Sequence, residues 1–280
     1  MRAASRPHPL SRFEFLVAAA ILAGGLAGCA TPPPASDPEA LADFRQTNDP
    51  LEPTNRVFYK IDDTLDTVLL KPAAEAYRYV LPDTVRTGIH NVLNNLGGPV
   101  RLTNDTLQGK PARAGDTMMR VLINTTAGLV GIFDVAKDVG YPDHDNDFGL
   151  TLANWGVPEG PFLYLPVLGP SGPRDATGFG VDIAIDPFTW VGNGRIGYHI
   201  ASWSKTAIAA LDTRSRLLDA ITSVKKTALD PYATFRSLYR QNRAGKLETL
   251  QADNRATIPI WWPQGKTSSA TTQSQSQTTR

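Results

Sequence analysis

Apolar positions recur at helical spacing in several separate stretches of this chain, with short connections rich in proline and glycine between them. In "DPLEPTNRVFYKIDDTLDTVLLKP", Val57, Ile61, Leu65 and Val68 share one face while Asp62, Asp63 and Asp66 occupy the other, which predicts an amphipathic helix. Pro72 and Pro82 then punctuate the chain. "PDTVRTGIHNVLNNLGGP" predicts a second helix, opened by an Asp83 or Thr84 cap, aligned on Val85, Ile89, Val92 and Leu96, and stopped at Gly97-Gly98-Pro99. "PVRLTNDTLQGKPARAGDTMMRVLINTTAG" predicts two more, broken near Gly109-Lys110-Pro111. Further on, "KDVGYPDHDNDFG" reads as a loop and "GLTLANWG" as a short helix. "VPEGPFLYLPVLGPSGPRDATG" has too many prolines for a central strand and is expected to be extended loop with at most a short edge pairing. Leu217, Leu218, Ile221 and Val224 share a later helical face, and "DPYATFRSLYRQNRAGK" continues as a helix.

One apolar run fits none of these patterns. From Val121 to Phe133 no charge interrupts the chain, yet as helix this stretch would cover only about 20 Å against roughly 30 Å of bilayer hydrocarbon. It is too short to span. Gly128 and Gly131 each cost a helix about 1 kcal/mol, so it is also a poor ordinary core helix. A bent pair of core helices closing a soluble domain is the alternative to a surface role.

Composition narrows the class. The 280 residues are 41% hydrophobic and 20% charged, ample for a buried core. The formal net charge of +1 provides no basic field of nucleic-acid scale, so no nucleic-acid partner is expected. The 23 glycines and 22 prolines divide the chain into many short elements and exclude long coiled coils. The N-terminus places Arg2, Arg6 and Arg12 before the apolar "FLVAAAILAGGLAG", which ends at Cys29, the single cysteine: an export signal over residues 1–28. "LAGC" resembles the bacterial lipobox, which implies that Cys29 becomes the acylated N-terminus. An ordinary signal peptide beside a free cysteine is the other reading. Removing three of 28 basic residues and one of 27 acidic ones leaves a formal charge of −1. Residues 29–48 are proline-rich and polar, as in a tether, 49–255 form one domain, and 256–280 form a polar low-complexity tail. No apolar run after residue 29 approaches the ~20 residues of a transmembrane helix.

Chemistry finds little to rest on. Asp143, Asp145 and Asp147 alternate as a calcium loop would begin, but Phe148 and Asn154 stand where such a loop wants glycine and glutamate, so a solvated acidic loop is expected and no metal site. "GPSGPRD" lacks both G-x-S-x-G and a phosphate-loop lysine, and reads as a turn. His90, His144 and His199 are scattered, and His90 flanks an apolar face as a boundary residue. No catalytic group and no cofactor is expected. The tryptophans Trp155, Trp190, Trp203 and Trp261-Trp262 suit either core packing or a bilayer interface.

Six blocks, "NDPLEPTNRVFY", "LKPAAEAYRYVLPDTVRTGIHNVLNNL", "NDTLQGK", "RVLINTTAGLVGIFDVA", "DFGLTLANWGVPEGPFLYLPVLGPSGPRD" and "LDPYATFRSLYRQ", together resemble the MlaA/VacJ family of outer-membrane phospholipid-transport lipoproteins. They run in order from about Asp49 to Gln241, and the lipobox stands in its proper place. The resemblance implies a mostly α fold: a ring-like, multi-helix single domain in the inner leaflet of the outer membrane, with a short glycine-bent hairpin and a central amphipathic channel. It implies that Gly128, Leu129, Val130, Gly131, Ile132 and Phe133 form the hairpin at the channel, with apolar side chains toward acyl tails. It implies phospholipid as cargo, a trimeric outer-membrane porin and a soluble periplasmic lipid carrier as partners, and Ala30 after Cys29 as the outer-membrane sorting residue. Removal of misplaced outer-leaflet phospholipid is the function so implied. A structural or scaffolding envelope lipoprotein is the alternative, and a lipid-modifying hydrolase a third class.

Overall fold

A computed structural model describes residues 49–190 and 196–253 together with Pro34, Ser36 and Asp37, and the side chains of 191–203 are not described. Cys29, the tail after residue 253 and the side chains of His199, Trp203, Trp261 and Trp262 therefore lie outside the described residues.

The predicted first helix forms as α1 (Glu52–Leu65), but the chain does not stop at Pro72. It passes through a wider π turn (Asp66–Leu70) into α2 (Lys71–Val80), with Pro72 in the first turn of α2. Proline has no N–H and would crowd the carbonyl four residues back; the π turn, in which Lys71 donates to the Asp66 carbonyl five residues back, makes room for the ring. The second predicted helix is α3 (Asp83–Leu96), with Pro82 at the cap position and no side-chain capping bond, so neither Asp83 nor Thr84 serves as cap. Asp83 instead places a negative charge in the first turn, where the helix dipole favours it.

The expected pair follows as α4 (Gly98–Leu107) and α5 (Pro111–Thr126), parted at Gly109, whose φ is +67°. After a short α6 (Val135–Asp138), α7 (Phe148–Asn154) occupies the predicted short helix. The proline-rich stretch yields β1 (Leu163–Leu165) and β2 (Gly169–Ser171), paired antiparallel with Leu163 opposite Ser171. Three helices follow that the periodicity did not mark: α8 (Pro173–Ile185), α9 (Pro187–Trp190) and α10 (Ile196–Arg216). The chain closes with α11 (Leu218–Thr227) and α12 (Pro231–Ala252).

These elements make a closed circuit of contacts. α2 packs on α10, α10 on α3, α3 on α5, α5 on α4, α4 on α7, α7 on α12, α12 on β2, β2 on β1, and β1 on α1, which runs on into α2. The mostly helical, single-domain expectation holds. One aromatic core of Phe162, Tyr164 and Tyr232, flanked by Phe58, Tyr59 and Tyr239, fixes the hairpin between α1 and α12. The buried Asn55 side chain joins α1 to β1 by donating to the Phe162 carbonyl and accepting from Tyr164 N–H, both at 2.9 Å.

Among the described residues, polar and charged groups are as prominent in the buried set as apolar ones, and they include Asn55, Asn104, Asp105, Arg113, Arg120 and Asp212. Large apolar side chains lie outside, including Val68, Leu69 and Val80 on the α1–α2 face. No described helix is long and apolar enough to cross a membrane.

Candidate functional site

At the end of α5 the uncharged run turns back on itself. Leu129, Val130 and Gly131 all sit in the left-handed region, with φ of 50°, 61° and 93°. Sequence reasoning placed the bend on the glycines alone, whereas the structure puts a leucine and a β-branched valine in that costly conformation, at about 1–2 kcal/mol each. Gly128 serves a different purpose: a Cβ there would strike the Phe133 carbonyl oxygen and come within 2.6 Å of the Asn124 carbonyl oxygen. At Gly131 a Cβ would lie 2.8 Å from Asn95 Cβ.

The turn satisfies its own backbone. Gly128 N–H reaches Ile123 O, Val130 reaches Thr125 O, Gly131 reaches Asn124 O at 2.7 Å, and Phe133 reaches Gly128 O. Irregular backbone next to hydrocarbon needs such internal pairing, because lipid supplies no donors or acceptors. Gly128 and Gly131 are buried, while Leu129, Val130, Ile132 and Phe133 are exposed, Val130 at 64%. The bent-core alternative fails on this point: the apolar side chains face outward rather than into a core.

Beneath the turn lies a polar base. Asp134 accepts from Arg120 Nη2 with both oxygens at 2.9 Å and from Asn124 Nδ2 at 2.9 Å, and it caps α6. Asn124 in turn accepts from Ala136 N–H. Arg120 also donates to the Tyr141 carbonyl at 2.8 Å. From α3, Asn91 donates to the Ile132 carbonyl and Asn95 to Thr125 Oγ1. Burial alone would raise the Asp134 carboxyl, but the Arg120 guanidinium and Asn124 bring it below the usual carboxylate range.

The acidic loop is partly solvated as expected, with Asp143 and Asp145 exposed, but its carboxylates are also paired. Asp143 accepts from Arg101 and Asn94, Asp145 from Lys246, and Asp147 from Arg243 at 2.6 Å while capping α7. His144 and Thr117 meet the fully buried Asp105, which also accepts from Asn146. Burial would raise Asp105 and Asp147, yet His144 for one and Arg243 for the other hold both below their ordinary values. These carboxylates hold the framework together, and no group of metal-ligating side chains occurs among the described residues. "GPSGPRD" is the whole of β2 and the start of α8, not a free-standing turn. His90 is the boundary residue expected, with Nδ1 2.8 Å from the buried Asp212.

An open cavity of about 490 Å³ is lined from α3, α4, α8, α10, α12 and the acidic loop. Its apolar residues are Leu93, Val100, Phe179 and Ile183; its polar ones include Asn94, Arg101, Asp182 and Lys246. That volume falls within the roughly 300–1,000 Å³ of ligand cavities, and the mixed wall suits a molecule with both a polar and an oily end. A second cavity of about 590 Å³ is lined by Arg113, His144, Glu248 and Asp253 among others. Sequence reasoning missed this lining. α8 carries two glycines, and a Cβ at Gly178 would collide with Gly149, so its glycine is a device for seating α8 against α7 that looks in sequence like a helix breaker.

Comparison with known proteins agrees with this geometry. A solved chain, reported as "Structural basis for maintenance of bacterial outer membrane lipid asymmetry", superposes with a TM-score of 0.62 at 30% identity, covering 71% of this chain and 98% of that one. The intermembrane phospholipid transport system lipoprotein MlaA of Haemophilus influenzae is 35% identical over 205 residues, 70% of this chain and 78% of its own. The protein of the same description from Escherichia coli K12 is 30% identical over 225 residues, 77% of this chain and 87% of its own. Similar to a like degree, at 32% identity over 73% of this chain and 78% of its own, is an uncharacterised protein of Rickettsia bellii. The family model for the MlaA lipoprotein matches residues 47–246, and this chain, with its circuit of helices, belongs to the MlaA lipoprotein family.

Proposed function

We propose that this protein is an outer-membrane lipoprotein of an intermembrane phospholipid transport system, which removes misplaced phospholipid from the outer leaflet and so maintains outer-membrane lipid asymmetry. Acyl chains on Cys29 hold it at the periplasmic leaflet; several chains at about 0.8 kcal/mol per buried CH₂ make such attachment nearly permanent without a transmembrane helix. The observation that carries the reading is the amphipathic cavity, whose wall offers Leu93, Val100, Phe179 and Ile183 to acyl chains and Lys246 to a headgroup. The exposed Leu129, Val130, Ile132 and Phe133 are consistent with it, since they offer oily side chains at the surface to acyl tails.

The step is passive and breaks no covalent bond. Lipid enters from the outer leaflet, its headgroup follows the polar wall and its tails the apolar one, and it leaves to a soluble periplasmic carrier. A trimeric porin beside the ring gives the assembly its place in the membrane. Direction comes from the downstream partners, because a channel cannot move lipid uphill.

The test replaces Leu129 and Ile132 by aspartate in the lipidated protein, both being exposed and therefore free to change without collapse of the core. Phospholipid should then accumulate in the outer leaflet as it does on deletion of the gene, with the protein folded and at normal abundance. Unaltered leaflet composition in both strains would favour a structural envelope lipoprotein instead.

A further inference from the structure

One carboxylate of this cavity has no direct ion pair among the described residues. Four carboxylates line it, and three are matched by cations: Asp145 by Lys246 at 2.9 Å, Asp147 by Arg243 at 2.6 Å and Asp186 by Lys205 at 2.6 Å. Asp182 is different. It accepts from Asn104 Nδ2 at 2.9 Å and from Phe148 N–H at 3.0 Å, both neutral donors, and no ion pair among the described residues includes it. An ionised carboxylate offers about four acceptor positions, so Asp182 retains capacity for another donor. Burial pushes its carboxyl up, although Arg243 acts on it from a distance, and a carboxylate withdrawn from water without a directly bonded cation gains when one arrives.

Lys246 is complementary. Its ammonium is about one-third exposed, and its partner Asp145 is 73% exposed. Such a pair contributes little, so Lys246 is free to exchange Asp145 for another anion. Arg101, by contrast, is 14% exposed and held by Asp143 and the Asn94 and His144 carbonyls.

We propose that this cavity selects phospholipids whose headgroup carries an ammonium as well as a phosphate, with Lys246 taking the phosphate, Asp182 the ammonium, and Leu93, Val100, Phe179 and Ile183 the acyl chains. The assignment rests on the reading of the cavity as the lipid path. A zwitterionic headgroup satisfies both ends of the wall at once. A headgroup with a phosphate and only hydroxyls gains the Lys246 contact but leaves Asp182 unmatched, and its net negative charge faces that carboxylate. The apolar residues make the intact lipid, rather than its water-soluble headgroup, the ligand.

The experiment uses the full lipidated chain extracted in mild non-ionic detergent, titrated with phosphatidylethanolamine and phosphatidylglycerol of identical acyl chains, with bound lipid read by native mass spectrometry. Wild type should bind the ethanolamine lipid several-fold more tightly. Asp182→Asn, which keeps an oxygen to accept from Phe148 N–H, should bring the ratio close to one by weakening the ethanolamine lipid and relieving the repulsion of the glycerol lipid. Lys246→Gln, at an exposed position, should weaken both lipids by a similar factor. Glycerophosphoethanolamine, added at the concentration of the lipid, should fail to displace it; equal competition would overturn the choice of intact lipid. A wild-type ratio near one, a ratio unmoved by Asp182→Asn, or affinities unmoved by Lys246→Gln overturns the headgroup assignment while the transport reading stands. Absence of any bound phospholipid overturns both.

Discussion

Replacing Asp134 by alanine tests whether the polar base holds the left-handed turn in place. The carboxylate is the common acceptor for Arg120, at 2.9 Å on both oxygens, for Asn124, and for the first turn of α6. Its loss leaves a nearly buried guanidinium without its bidentate partner. Breaking a buried pair costs roughly 3–5 kcal/mol, and the low end applies because Asp134 is 24% exposed and Arg120 keeps the Tyr141 carbonyl. Loss of the cap adds about 1 kcal/mol, for a total of about 4 kcal/mol. Asp143→Ala is the control: it also removes a carboxylate near Arg120, at 3.4 Å, but one that is 43% exposed, and should cost at most about 1 kcal/mol. Urea unfolding of the signal-free chain in mild detergent, followed by circular dichroism, measures both. Equal losses for the two variants would refute the idea that the turn depends on its base.

Gly131→Ala should destabilise by about 2 kcal/mol in the same assay, since it adds a side chain at φ +93° and within 2.8 Å of Asn95; a loss below about 0.5 kcal/mol would mean that the turn moves freely aside. Acid should unfold the chain cooperatively. Asp105, Asp134 and Asp147 all have depressed carboxyl values in the fold, so the stability they contribute is complete above the ordinary value of about 3.9 and is lost as pH falls through their lower folded values. Asp147→Asn should therefore flatten the pH dependence of the urea midpoint below about pH 4, and an unchanged slope would remove Asp147 from the account. Cys29→Ala should release the protein from the membrane fraction and abolish the acyl mass increment, and an unaltered mass and location would overturn lipidation.

Elements whose apolar face is the one they pack with, or whose ends carry proline and glycine, were legible in sequence. α1, α3, α4, α5 and α12 appear where the periodicity put them, because Val85 to Leu96 and the Gly109-Lys110-Pro111 break act locally. Three features were hidden by tertiary effects. Pro72 reads as a stop, yet a π turn absorbs it. Gly178 and Gly180 read as breakers, yet α8 needs Gly178 to approach α7. Leu129 and Val130 give no hint of left-handed backbone; the turn is fixed by local backbone bonds, by the flanking Asn124 and Asp134, and by Asn91, which is remote in sequence.

The acidic loop shows why a candidate site in such a protein escapes sequence reasoning. "DHDND" reads as solvent-facing because charge normally is, but each of its carboxylates meets a cation from another helix: Arg101 of α4, Lys246 and Arg243 of α12. Apolar burial distinguishes inside from outside only when the outside is water. Here buried polar groups are as prominent as apolar ones and many large apolar side chains lie outside, so apolar burial alone does not specify the fold. Directional contacts must then fix the fold, and charge-assisted pairs with fully bonded amides, such as Asp105 with His144, Thr117 and Asn146, supply them. The same network leaves the cavity wall polar on the framework side while Leu93, Val100, Phe179 and Ile183 line it too, so the amphipathic cavity is a consequence of how this fold is held and not an addition to it.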